Sequence, residues 1–156
     1  MPLTFAYGSN MDAQAMAARC PGARLIGRAR LPRHRVDLMP GGFATLVRDA
    51  SATAQGALWE LSFGDLAALD RYEGAGYAKI SQPVLREKGA AVRALIYVGK
   101  SGAGAGRAPE DYMRNLIEAA RALGLPRDYI DGLRRLAGES PEPVSRFRAI
   151  KNPQFK

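Results

Sequence analysis

Hydrophobic positions along this chain fall into short runs, several of which alternate with polar residues. Short apolar runs with this spacing and a share of β-branched and aromatic residues are typical of strands. The pattern predicts strands at residues 3–7, 25–31, 35–39, 43–47, 55–61, 77–85 and 91–98. Pro32 and the turn Pro40-Gly41-Gly42 separate the strands in the middle of this series.

Helical spacing and helix boundary signals occur between these runs. Ser62 and Asp65 have the spacing of a capping box, and Gly74 marks the end of the apolar pattern that follows. Pro109 and Pro126 each stand where a helix can begin. The pattern predicts helices at residues 12–19, 62–73, 109–123 and 126–137.

The predicted order is β-α-β-β-β-β-α-β-β-α-α. Strands outnumber helices and most are consecutive, which indicates an α+β fold with a mostly antiparallel or mixed sheet that could close into a small barrel. Residues 1–138 are predicted to form a single domain. Residues 139–156 are basic and interrupted by prolines, which predicts an irregular tail.

Composition limits the class of protein. The chain has 156 residues, of which 47% are hydrophobic, so we expect a globular domain. It has no run long enough to span a membrane and no leader pattern, which predicts a soluble, cytoplasmic protein. Cys20 and His34 are the only residues of their types, too few for an internal disulfide or a structural zinc site. The net charge of +8 is spread along the sequence, which is typical of a solvated surface.

The segment Tyr7–Asn10 joins the first strand to the first helix. We expect Ser9 or Asn10 to cap that helix, with Asp12 in its first turn. Gly8 would allow close approach of a ligand, and free N–H groups at a helix start suit a carboxylate or an oxyanion. An ordinary strand-to-helix turn with a good cap is the alternative.

Glu73 stands at the end of the predicted second helix. The helix dipole disfavours a negative charge there, and burial would raise the pKa of the carboxyl further. A carboxyl adjusted in this way can serve as a general acid and base near neutral pH. A solvated glutamate before a turn is the alternative.

Two other sequence features are weaker candidates for a functional site. The glycine-rich segment 100–107 lacks the ending of a P-loop and the spacing of a dinucleotide-binding loop, so we predict a flexible surface loop or a lid. Cys20 and His34 could form a nucleophile and base, but no third residue to orient them is evident.

In combination, the segments around Tyr7–Asn10 and Glu73 resemble the γ-glutamylcyclotransferase-like superfamily. The resemblance extends from Phe5 to about Leu133. It is carried by Tyr7-Gly8-Ser9-Asn10, Gly41-Gly42-Phe43-Ala44-Thr45, Leu69-Asp70 with Glu73-Gly74, and Tyr112 followed by Gly124-Leu125-Pro126 and Tyr129. It implies a small mixed, mostly antiparallel β-barrel with flanking helices. The segment between Gly74 and Tyr77 is shorter than is typical of this superfamily.

The resemblance also implies an activity. A γ-glutamyl amide would cyclise to 5-oxoproline and release an amine or amino acid, a step of glutathione metabolism, without a cofactor or metal. By analogy Glu73 would be the general acid and base. Substrate binding would fall to Tyr7, Gly8, Ser9, Asn10, Gly41, Gly42 and Tyr112. The partner would be a small γ-glutamyl compound of undetermined leaving group, and the oligomeric state is left open.

Two alternatives belong to other classes of protein. The first is a binding module of the same fold without catalytic activity, which the presence of both Tyr7–Asn10 and Glu73 disfavours. The second is a nucleic-acid-binding protein that uses the basic tail, including Arg146, Phe147 and Arg148. No platform of aromatic residues for stacking bases is evident, which disfavours it.

Overall fold

The computed structural model describes residues 1–104 and 106–139. Within them it has five strands: β1 (Leu3–Ala6), β2 (Arg24–Leu38), β3 (Ala44–Glu60), β4 (Tyr77–Arg86) and β5 (Val92–Gly99). The α-helices in this part of the chain are α1 (Ala13–Arg19), α2 (Phe63–Glu73), α3 (Glu110–Leu123) and α4 (Arg127–Leu136). A single turn of 3₁₀ helix, Ser9–Met11, lies between β1 and α1.

The strands form a closed barrel in the order β1-β3-β2-β4-β5. Neighbouring strands are antiparallel except β1 and β5, which close the barrel in parallel at the pair Thr4 and Leu95. This arrangement confirms the predicted α+β fold with a mixed, mostly antiparallel barrel. In the described part of the chain, none of the helices has the length and apolar character needed to span a bilayer.

Two pairs of predicted strands proved to be single strands. The segments predicted at 25–31 and 35–39 belong to β2, and those at 43–47 and 55–61 belong to β3. The ladder between β2 and β3 continues past Pro32 because its register shifts between Pro32 and His34, where Arg33 has a φ of +61°. A bulge of this kind accommodates the missing N–H of a proline without ending the strand.

Close packing of β1 on β3 fixes where the Tyr7–Asn10 segment leaves the barrel. Phe5 and Leu58 are fully buried partners in this ladder. A Cβ atom at Gly56 would lie 2.1 Å from the carbonyl oxygen of Ala6, so only glycine permits this approach. The end of β1 is therefore held firmly just before the segment that carries the predicted site.

Helices α2 and α3 bring their residues to the same end of the barrel. The backbone N–H of Asp65 donates to Ser62 Oγ at 3.0 Å, which confirms the predicted cap of α2. The helix ends at Gly74, whose φ is +72°, so Glu73 is its last residue. Helix α3 is strongly amphipathic and packs its apolar face, including Leu116 and Ile117, against the core and the 3₁₀ turn.

The glycine-rich segment packs against the turn between β2 and β3. The backbone N–H of Gly104 donates to the carbonyl of Leu38 at 2.9 Å, and the Ser101 hydroxyl lies 3.4 Å from Met39 Sδ. The small residues of the segment therefore allow two backbones to approach each other. Of the predicted tail, only Glu139 lies within the described residues, where it pairs with Arg134 at 3.2 Å.

Candidate active site

The segment Tyr7–Asn10 supplies uncommitted backbone donors. The Tyr7 hydroxyl donates to the carbonyl of Tyr97, and Trp59 Nε1 donates to the carbonyl of Asn10 at 2.9 Å, so both ends of the segment are held. Within the described residues, the backbone N–H groups of Gly8, Ser9 and Asn10 have no hydrogen-bond partner. These three donors can therefore bind the oxygen atoms of a ligand.

The cap of α1 differs from the prediction. Asp12, not Ser9 or Asn10, is the capping residue, and its carboxylate accepts the N–H groups of Gln14 and Ala15 at 3.4 and 3.3 Å. The intervening 3₁₀ turn delays the start of the helix to Ala13. The free donors consequently belong to Gly8 and to the 3₁₀ turn that follows it, rather than to the start of an α-helix.

Glu73 faces this segment. Asn10 Nδ2 donates to Glu73 Oε1 at 3.0 Å, across a sequence separation of 63 residues. Burial raises the pKa of Glu73 to about 7, although the charge of Arg19 and the hydrogen bond from Asn10 act in the opposite direction. A carboxyl with this pKa exchanges protons readily at neutral pH.

Arg19 completes the polar contacts around Glu73. Its Nη1 donates to the side-chain oxygen of Asn10 and, at 3.3 Å, to the hydroxyl of Ser9. The guanidinium carbon lies 3.7 Å from the centre of the Tyr72 ring, a cation–π contact. Because Arg19 occupies the oxygen of the Asn10 amide, the amide nitrogen is directed at Glu73.

On the other side of the site, Tyr77 and Tyr112 both form hydrogen bonds with the backbone of Ala44. The Tyr77 hydroxyl donates to the carbonyl of Ala44 at 3.1 Å, and the N–H of Ala44 donates to the Tyr112 hydroxyl at 3.1 Å. Burial raises the pKa of both tyrosines above the ordinary value, so both hydroxyls keep their protons at neutral pH.

These residues surround two adjoining pockets. The inner pocket has about 430 Å³ of space between its walls, including the part open to solvent. It is lined by Thr4, Phe5, Ala6, Tyr7, Gly8, Ser9, Asn10, Ala44, Glu73, Tyr77, Tyr97 and Tyr112. The outer pocket has about 910 Å³ of such space. It is lined by Ser9, Asp12, Ala15, Arg19, Phe43, Tyr72, Glu73, Tyr77, Tyr112 and Asn115.

Comparison with known proteins connects this geometry to a family. Residues 4–134 match the sequence model of the family described as Gamma-glutamyl cyclotransferase, AIG2-like. The chain belongs to this family. It is accordingly an enzyme of the gamma-glutamylcyclotransferase class.

Individual relatives agree with the family assignment. The gamma-glutamylcyclotransferases of Homo sapiens and Mus musculus are each 26% identical over 147 residues, which cover 86% of this chain and 78% of theirs. A solved structure of a gamma-glutamyl cyclotransferase has a TM-score of 0.79 at 24% identity, covering 92% of this chain and 90% of its own. An uncharacterized protein from Homo sapiens also has a TM-score of 0.79, at 26% identity, covering 92% and 89%.

The predicted site residues of this family member do not all meet. Tyr7, Gly8, Ser9, Asn10, Glu73 and Tyr112 line the inner pocket together. Gly41 and Gly42 line neither pocket. A Cβ atom at Gly42 would lie 2.3 Å from the carbonyl oxygen of Arg107, so this glycine serves the packing of backbone against backbone. A role of Gly41 and Gly42 in substrate binding stays a prediction.

The remaining candidates lie apart from the two pockets. Cys20 is fully buried and its thiol donates to the carbonyl of Asp65, whereas His34 is half-buried on β2. Neither residue lines the pocket that contains Glu73, nor do the described residues of segment 100–107. Within residues 1–104 and 106–139, no group of histidine, cysteine or carboxylate side chains is arranged to hold a metal ion.

Sequence reasoning did not identify Arg19, Phe43, Tyr72 and Tyr77 as site residues. Arg19 was visible only as a basic residue in the last turn of a predicted helix, and Tyr77 as the start of a strand. The shorter segment before Tyr77 nevertheless leaves its ring in the pocket wall. Phe43 directly follows the glycine turn, which was the one local signal that pointed to it.

Proposed function

We propose that this enzyme cyclises a small γ-glutamyl amide, releasing 5-oxoproline and a free amine or amino acid, with Glu73 as general acid and base. The supporting observation is the contact between Glu73 and Asn10 in a pocket that also contains uncommitted backbone donors. The contact joins two of the four segments that carry the family resemblance.

The reaction needs one proton-transfer group and no external nucleophile. The α-amino nitrogen of the glutamyl unit attacks its own γ-carbonyl carbon, which forms the C–N bond of the five-membered lactam. Glu73 accepts a proton from the attacking nitrogen and donates it to the leaving nitrogen as the original amide bond breaks. All atoms of the substrate appear in the two products, so the proposed step consumes neither water nor a cofactor.

The pKa of Glu73 suits both halves of this transfer. Burial raises that pKa to about 7, so the ionised and neutral forms are both well populated near neutral pH. An ordinary carboxylate would accept the amine proton less readily, and a stronger base would return it less readily. The hydrogen bond from Asn10 holds one carboxyl oxygen and leaves the other for the substrate.

Backbone donors can stabilise the charge that develops on the substrate. Gly8, Ser9 and Asn10 line the inner pocket, and their free N–H groups can bind the oxyanion of the tetrahedral intermediate or the α-carboxylate of the glutamyl unit. Cyclisation also requires a folded conformer of the substrate. Holding both ends of the glutamyl unit in one pocket supplies that orientation.

Tyr112 is suited to hold the substrate through its hydroxyl. The oxygen accepts the N–H of Ala44, and the hydroxyl proton has no acceptor among the described residues. That proton can therefore be donated into the pocket. Tyr77 uses its own proton on the carbonyl of Ala44, so it keeps the wall in place and offers only its lone pairs.

Release of 5-oxoproline from a panel of substrates tests the proposal. The panel contains γ-glutamyl amino acids, γ-glutamyl amines and glutathione, each incubated with the wild type and with Glu73→Gln. We expect release by the wild type and almost none by the variant, whose folding is checked by circular dichroism. Near wild-type release by Glu73→Gln would overturn the assignment of Glu73. No release from any substrate would favour a binding module of the same fold.

A further inference from the structure

The two pockets meet at Glu73. Four residues line both of them: Ser9, Glu73, Tyr77 and Tyr112. A general acid must lie beside the nitrogen that it protonates. If Glu73 has this role, the scissile nitrogen lies at the junction, with the glutamyl unit on one side and the leaving group on the other.

The residues that line each pocket indicate which pocket holds the glutamyl unit and which holds the leaving group. The inner pocket offers the backbone N–H groups of Gly8, Ser9 and Asn10, which suit the polar glutamyl unit. The outer pocket lacks Gly8 and Asn10 from its lining and has about twice the space, 910 Å³ against 430 Å³. The leaving group therefore extends into the outer pocket.

Two exposed aromatic rings stand at the outer pocket. Phe43 is 46% exposed and Tyr72 is 49% exposed, although both are large side chains that usually gain stability from burial. Phe43 meets the Tyr112 ring edge-on at 5.1 Å and 88°, and Tyr72 lies against the Arg19 guanidinium. Each ring is thus positioned by a neighbour before any ligand arrives.

The charged groups of this pocket already have partners within the chain. The Asp12 carboxylate accepts two N–H groups of α1, and Arg19 donates to Asn10 and Ser9. Apolar ring surface, in contrast, remains open to solvent at Phe43 and Tyr72. Covering that surface with an apolar part of a ligand would remove it from water.

We propose that the outer pocket is the leaving-group subsite and that Phe43 and Tyr72 select leaving amines with a bulky apolar group over small ones. The inference rests on the cyclotransferase function proposed above, and it specifies the substrate class of the same site. The expected order is γ-glutamylphenylalanine and γ-glutamylleucine ahead of γ-glutamylglycine.

The test measures kcat/KM for these three substrates with the wild type, Phe43→Ala, Phe43→Leu and a matched control. Phe63→Ala is the control, because Phe63 is 74% exposed on α2 and lines neither pocket. We expect the wild type to prefer γ-glutamylphenylalanine over γ-glutamylglycine by about tenfold or more, the scale of apolar discrimination in enzyme pockets. Phe43→Ala should lower this ratio to near unity, Phe43→Leu should give an intermediate ratio, and Phe63→Ala should keep the wild-type ratio.

The ratio separates this inference from the proposed function. Release from all three substrates without an apolar preference would overturn the inference and leave the cyclotransferase function standing. A ratio that falls as much in Phe63→Ala as in Phe43→Ala would also overturn it. No release from these three substrates, with release from another member of the wider panel, would overturn the inference alone, whereas no release from the whole panel would overturn the proposed function and the inference with it.

Discussion

The last turn of α2 carries two carboxylates, Asp70 and Glu73, whose surroundings have opposite effects. Asp70 accepts the Tyr97 hydroxyl at 2.5 Å and pairs with Lys79 at 3.0 Å. Partial burial alone would raise its pKa, but these two contacts bring the pKa of Asp70 below the ordinary value. Its side chain remains 41% exposed.

Glu73 lies one turn further along and has neither contact. Among the described residues its hydrogen-bond partner is the neutral amide of Asn10, and the positive charge of Arg19 lowers its pKa by less than burial raises it. Burial therefore dominates, and the pKa of Glu73 rises to about 7.

Position at the end of α2 does not distinguish these two carboxyls. A helix C-terminus disfavours a negative charge within its last turn, and both residues lie there. The dipole alone would raise both pKa values, yet Asp70 and Glu73 differ in direction. Burial and the nearest partners decide which carboxyl can work as an acid and base at neutral pH, and position in the helix does not.

The largest expected difference between the two residues is in turnover. Glu73→Gln keeps the shape of the side chain and removes its proton transfer, which should lower kcat about a thousandfold. Asp70→Asn should stay within about threefold of the wild type, because contacts of an exposed carboxylate contribute little. The measurement is 5-oxoproline release under saturating substrate. Equal losses in both variants would remove the distinction between the two carboxylates.

Arg19 sharpens the comparison because it is the cation that acts on Glu73. Arg19→Met should release the Asn10 amide and lower kcat about tenfold through misplacement of the base. The pKa of Glu73 should rise when the opposing charge is lost, so the acidic limb of the kcat/KM profile should move to higher pH.

Two variants control for a general loss of positive charge. Arg19→Lys can still donate to Asn10 and should restore part of the rate and of the pH profile. Arg71→Met removes an exposed charge from α2 that lines neither pocket, and should leave the profile in place. If the acidic limb of the kcat/KM profile stayed at the same pH in Arg19→Met, Arg19 would not act on the pKa of Glu73.

Stability should reveal the cost of burying Glu73. Its pKa is about 7 in the folded chain against an ordinary 4.5, so the folded state binds the proton more tightly and stability falls as pH rises between these values. Glu73→Gln should therefore increase the free energy of unfolding by about 1–2 kcal/mol at pH 8. Urea unfolding at several pH values measures this. The gain should vanish below about pH 4.5, and a gain independent of pH would contradict the mechanism.

Much of the fold was predictable because its signals are local. The cap at Ser62, the stop at Gly74 and the prolines before α3 and α4 are visible in the sequence and hold in the structure. Strand continuity through Pro32 was not predictable, because the register shift that permits it depends on the partner strand.

The site residues show the same difference between features that are visible in the local sequence and features that depend on contacts formed in the fold. Glu73 and Tyr7–Asn10 were predictable from residue type and family pattern, and the structure brings them into contact. Arg19 was not, since its role depends on which end of the Asn10 amide it meets. Gly42 was predicted from its resemblance to the glycine turn of the family, and that resemblance does not say whether a ligand or the backbone of Arg107 approaches the turn.

The smallest expected effect is the stability contributed by Asp70. Its pKa is lower in the folded chain than the ordinary 3.8, so its ionised form stabilises the fold above that pH, and the contribution is lost as pH falls through the folded value. Asp70→Asn should therefore lower the free energy of unfolding at pH 7 by about 0.5 kcal/mol, the scale of an exposed ion pair. Urea unfolding at pH 7 measures the loss, which should shrink in high salt because the pairing with Lys79 is screened. The sign of this change in the free energy of unfolding is a stronger test than its size. If Asp70→Asn stabilised the fold at pH 8 as Glu73→Gln is expected to, the shared helix end would control both carboxyls, and the contrast between their neighbours would not explain why one of them is suited to acid–base chemistry.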